Sequence, residues 1–136
     1  MNTYQDQLND LRDLFEIFED PKDKFIQLMD MAKESTLFNK SDRNEKNKIN
    51  GCTSQAWVVV KKNNDNTFSI SADSDSQIVK GLLSILEKIF QNQQSKDILS
   101  MSSDEILSFI GLDGSFSSQR TNGFSSAVNK IQGIVK

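Results

Sequence analysis

The sequence contains no histidine and only one cysteine among its 136 residues. Without histidine, Cys–His and Ser–His–Asp catalysis are excluded, and the commonest zinc ligand is lost. A single cysteine cannot close an internal disulfide. It also falls short of the several thiolates that hold an iron–sulfur cluster, so no metal or cofactor of its own is expected. Positive charge is not in excess: the formal net charge is −3. The densest basic stretch, Lys40 to Lys48, is interrupted by Asp42 and Glu45. Nucleic acids and anionic membrane surfaces select for basic patches, so neither is an expected partner. No run approaches the roughly 20 apolar residues that span a bilayer. The opening MNTYQDQLND is polar and acidic, unlike a signal peptide. Together with the lone thiol, these features predict an intracellular, cytoplasmic protein.

What is present is enough for one domain over residues 1–136. A chain this long buries about two-thirds of its unfolded surface and needs no staple. Leu8, Leu11, Leu14, Phe15 and Phe18 recur at helical spacing within Tyr4 to Glu19. Asp20-Pro21 then reads as an N-cap followed by the first position of a second helix. That helix carries Phe25, Leu28, Met29 and Ala32 on one face. Ser35 to Asn47 is polar and reads as a surface loop.

From Lys48 the pattern changes. Gln55 to Lys62 holds Trp57, Val58, Val59 and Val60, which favour a strand. Thr67 to Ala72 alternates strictly, with Phe68, Ile70 and Ala72 on one side. The turn-forming run Lys61 to Asn66 joins the two as a hairpin. Lys48 to Gly51 is expected to add a short third strand ending at Cys52. Asp73, Ser74 and Asp75 are expected to cap the next helix, which has a wide stripe from Ile78 to Phe90. Ser102 and Glu105 form a capping-box pattern before a short helix that Gly111 closes. Gly114 to Arg120 reads as a serine-rich loop, and Phe124, Val128, Ile131 and Val135 mark a final helix. This order predicts an α+β fold: helices packed on a small antiparallel sheet of about three strands.

Cys52 is the first chemical candidate. Free cysteines are often small buried hydrophobes. Here Gly51 precedes the thiol and Thr53, Ser54 and Gln55 follow it, as in a turn that presents a side chain. A thiol of ordinary pKa is only a few per cent thiolate near neutrality, so activation requires a cation, backbone N–H groups or a helix N-terminus. Arg120, at the start of the last helix, is the internal cation candidate. Asp73 and Asp75 admit a carboxylate pair or a divalent-metal site, but helix capping is the expected role.

Three segments carry a resemblance. GCTSQAW at 51–57 resembles the Gly-Cys-x-Ser-Gln-x-Trp segment of the SufE family of sulfur acceptors. ADSDSQIVKGLL at 72–83 is similar to that family's Ser-Asp-x-x-Ile-Val-Lys-Gly-Leu block. SQRTNGF at 118–124 is similar to its Ser-x-Arg-x-Asn-Gly segment. Departures fall at Pro21 and Lys24-Phe25, where a Trp and an Arg-Tyr pair are common. Others are Ser35-Thr36-Leu37-Phe38, which lacks a Leu-Pro, and Phe124, which replaces a Leu.

The resemblance implies an α+β fold like that of SufE and the IscU-like scaffolds. It implies that Cys52 takes persulfide sulfur from a SufS-like cysteine desulfurase, enhances its turnover and passes the sulfur to a SufBCD-like scaffold complex. Gly51, Ser54, Gln55, Asp75 and Arg120 would support it. Pyridoxal phosphate would belong to the desulfurase. A cysteine loop that packs inward at rest and swings out on docking is also implied. The readings left beside it are an acceptor serving another desulfurase and sulfur route, an iron–sulfur scaffold of similar fold, which the single cysteine disfavours unless chains pair, and a binding module of the same fold with an inert cysteine.

Overall fold

The computed structural model describes residues 3–50 and 54–136. The chain opens with α1 (Tyr4–Glu16), started by a capping box. Thr3 accepts from the Asp6 amide while the Asp6 carboxylate accepts from the Thr3 amide. Leu8, Leu11 and Phe15 are buried along it. In α2 (Pro21–Glu34), Asp20 caps the Lys22 amide and Pro21 occupies the first turn, as expected. Its buried face is Leu28, Met31 and Ala32, and Phe25 and Met29 lie at the flank.

β1 (Ala56–Lys62) and β2 (Phe68–Ser74) pair antiparallel, with Ala56 opposite Ser74 and Lys62 opposite Phe68. Asn66 turns the chain at φ +66°, a left-handed conformation that asparagine tolerates. Of the expected third strand, the described residues Lys48 to Asn50 make one bridge, between Lys48 and Trp57, and its Gly51 end lies outside the described residues. Hydrogen bonds from Ile49 N to Ala56 O (2.8 Å) and Val58 N to Asn47 O (2.9 Å) flank the bridge. The described sheet therefore has two strands. Polar Asn44 and Asn47 cap a local turn instead of extending the ladder.

α3 (Gln77–Phe90) is the hub. It packs against α1, α2, β2 and α6 (Ser118–Val135). Val79, Leu82, Leu83, Ile85, Leu86, Ile89 and Phe90 are all buried. Each such side chain contributes about 2 kcal/mol on leaving water. Gly81 sits where α2 crosses: a Cβ there would lie 2.3 Å from the Leu28 carbonyl oxygen. The cap of α3 is Ser76, which accepts from the Val79 amide, so the capping role expected of Asp73 and Asp75 is overturned. Asp73 lies inside β2, which runs on to Ser74.

A four-residue α4 (Ser95–Ile98) interrupts what reads as a connecting segment. The capping box of Ser102 and Glu105 opens α5 (Ser103–Phe109). Gly111, at φ +81°, ends it, with Leu112 N bonded to Leu107 O and Gly111 N to Ser108 O. α6 starts at Ser118, so the last three residues of the expected loop are helical. Phe124, Val128, Ile131 and Val135 are buried as expected.

Candidate functional site

Gly51, Cys52 and Thr53 lie outside the described residues, as does the expected inward packing of the cysteine loop. The two stems that lead to this tripeptide are described, and both are tied down. On the entering side, Ile49 is buried and bonds Ala56. On the leaving side, the Gln55 amide donates to the Asp75 carboxylate (3.0 Å) and the Asp75 amide donates to the Gln55 carbonyl (3.1 Å). The Ser74 hydroxyl donates to the same carbonyl at 2.7 Å and accepts from the Ser76 amide. Asp75 thus holds the strand entry. Ser54 is half-buried beside it.

Behind the stems lies a cluster that the sequence reading missed. The Arg43 guanidinium sits 4.8 Å above the Trp57 ring. Its Nε and Nη2 donate to Asp73 Oδ2 at 2.8 and 2.7 Å. Lys80 Nζ lies 3.6 Å from the other carboxylate oxygen. Trp57 and Asp73 are register partners across the hairpin. Arg43 therefore joins the segment before the cysteine to both strands after it. A charged pair with an aromatic floor is stronger than an exposed pair, because the acid is withdrawn from water and the cation is stacked. In the sequence, Arg43 is one charge among several in a polar stretch with no periodicity, so nothing set it apart.

Arg120 is half-buried, in the corner between α6 and α2. Its guanidinium lies 5.9 Å from the Phe25 ring, and Phe25 packs on Phe116 at 5.2 Å. Lys24 Nζ reaches the Gly111 carbonyl nearby (3.0 Å). Among the described residues no carboxylate pairs with Arg120.

A second polar site lies between β2 and α3. Glu87, buried on α3, accepts from the Ala72 amide (2.9 Å) and from the Ser35 hydroxyl. Burial pushes its pKa above the ordinary 4.5, against the opposing pull of those two hydrogen bonds and of Lys80. A cleft of about 370 Å³ opens over it, lined by Ser35, Leu37, Ser84 and Gln91 among others. A glutamate in the middle of the stripe between Leu83 and Phe90 was the signal available for it. Among the described residues no three acidic, Cys or His side chains converge as a metal site would need, and no helix is long and apolar enough to cross a membrane.

The profile of the family described as SufE, Fe-S metabolism associated domain, matches residues 9–135. An uncharacterized SufE-like protein of Rhizobium etli is 32% identical over 128 residues, covering 92% of this chain and 86% of its own. One from Rhizobium meliloti is 29% identical, covering 92% of this chain and 91% of its own. The chloroplastic/mitochondrial SufE-like protein 1 of Arabidopsis thaliana is 32% identical over 93% of this chain, which spans only 34% of that protein. The solution structure of a hypothetical protein from Thermus thermophilus superposes with a TM-score of 0.77, covering 95% of this chain and 93% of that one. At 15% identity it shares the fold.

Proposed function

The chain belongs to the SufE family, and we propose that Cys52 accepts sulfur from a cysteine desulfurase and carries it to an iron–sulfur cluster scaffold complex. The Cys52 thiolate attacks the outer sulfur of the desulfurase's cysteine persulfide. The sulfur–sulfur bond breaks, the desulfurase cysteine leaves as a thiolate, and Cys52 holds the persulfide. No electrons are gained or lost overall, so a single cysteine suffices and no redox partner is needed. The same attack by a scaffold thiolate completes the relay. Removing the persulfide from the desulfurase frees it for another turnover.

The observation that carries this reading is the anchoring of both stems around the chain's one cysteine, by Ile49 with Ala56 and by Gln55 with Asp75. A relay must present one sulfur atom to two proteins in turn, and a loop with fixed ends presents it repeatably. Arg120 is the proposed source of positive charge that favours the thiolate and persulfide.

Intact-mass measurement after incubation with a desulfurase, pyridoxal phosphate and cysteine tests the relay. The expected product carries one extra sulfur atom on Cys52, removed by reductant and absent from Cys52→Ser. If no cognate desulfurase yields that adduct, the proposal fails.

A further inference from the structure

In an antiparallel hairpin every second residue turns its backbone groups away from the partner strand. On β2 these residues are Phe68, Ile70, Ala72 and Ser74, and other parts of the chain meet the first three. Phe68 N donates to Gln93 O and Asn92 N to Phe68 O. The Gln91 side chain both accepts from Ile70 N and donates to Ile70 O, and Glu87 takes Ala72 N. On β1 the outward residues are Ala56, Val58, Val60 and Lys62. The bonds from Ile49 and to Asn47 cover only the first half. Among the described residues no hydrogen bond from outside the hairpin reaches the backbone of Val60 or Lys62.

A cleft of about 550 Å³ lies beside this open half, lined by Val60, Lys62, Phe68, Ser95, Ile134 and Lys136. Ile134, on the last turn of α6, is 50% exposed there. The charge is lopsided for a chain of net charge −3. Lys62 and Lys136 line the cleft, Lys48 bridges Trp57 farther along the same edge, and Lys130 holds the carbonyl of Lys46.

We propose that Val60 to Lys62 is a docking edge for an extended acidic segment of a partner protein, which adds to the hairpin as a further strand. The free backbone groups supply the ladder, and alternate side chains of the added strand enter the cleft against Val60 and Ile134. Lys61, exposed on the other face of β1, and Lys48, which shares that face with Trp57, select carboxylates at the intervening positions. A second copy of this chain is the wrong occupant, since it would set like charges opposite one another. The inference does not depend on what Cys52 carries.

The probe is a capped heptapeptide alternating valine and glutamate, with a valine–lysine peptide as control, and the readout is residue-resolved amide hydrogen exchange. The glutamate peptide should slow exchange at the Val60 and Lys62 amides by about tenfold, and the control should not. Lys62→Pro removes an outward N–H at an edge position that tolerates proline, and Lys61→Glu reverses the charge on the face that meets the glutamates. Each should weaken binding by about tenfold or more. The proposal is overturned by no slowing with the glutamate peptide or by equal effects of the two peptides. Slowing that grows with protein concentration alone, which would mean self-pairing, also overturns it.

Discussion

Asp73 and Glu87 are carboxylates buried along the same seam between β2 and α3, 4% and 5% exposed, yet they are accommodated by opposite means. Asp73 is held by two cations, one of them stacked on an indole. Glu87 has no cation within ion-pair distance among the described residues, and is met by an amide and a hydroxyl. The first arrangement binds three stretches of chain: the segment before the cysteine, β1 through Trp57, and α3 through Lys80. The second closes the free edge of β2 and leaves an acid whose proton is retained at higher pH than usual. Burial alone thus does not decide what a carboxylate does; the partner decides it.

The largest effect that tests the contrast is Asp73→Ala. It strands Arg43 over Trp57 and releases Lys80, and should cost about 3 kcal/mol, read as a lower midpoint of urea unfolding. A loss no greater than that of an ordinary surface substitution would mean that the cluster is not holding the stems. Glu87→Ala should cost less, about 2 kcal/mol, since it leaves the buried Ala72 amide without an acceptor but no unpaired charge. If it proves the costlier of the two, the distinction drawn between them is wrong.

The smallest effect is the most diagnostic. Glu87→Gln keeps an acceptor for Ala72 and places a donor against the Ser35 hydroxyl, as protonated Glu87 does, so its unfolding midpoint should hardly move below about pH 4.5. Because the folded-state pKa of Glu87 is raised, the native state binds its proton more tightly than the unfolded chain does. Its favourable contribution is complete below about 4.5 and is lost as pH rises through the folded-state value. Wild type should therefore lose stability over that window relative to Glu87→Gln, and parallel stability–pH curves for the two would refute the assignment.

The sequence made the fold legible wherever periodicity or caps carried it. The alternation of Phe68, Ile70 and Ala72, the Asp20-Pro21 start and the Ser102–Glu105 box all stand where expected. It misled where a residue had two possible partners. Asp73 and Asp75 look like caps because aspartate caps helices well, but Ser76 is nearer the helix start and the two acids face Arg43 and the Gln55 amide. Such long-range pairs leave no local pattern, which is why Arg43 was invisible. Of the expected third strand, the described part makes a single bridge and begins directly after the Asn44–Asn47 turn, and its Gly51 end lies outside the described residues.

Trp57 is the chain's one tryptophan, and it lies under Arg43 beside the stem that leads to Cys52. Its fluorescence is therefore an unmixed optical signal from that stem. Indole emission depends on nearby charge and on water, and lifting the guanidinium changes both. Any event that loosens Arg43, whether a docked protein or an altered Asp73, can be followed in the native chain with no dye attached.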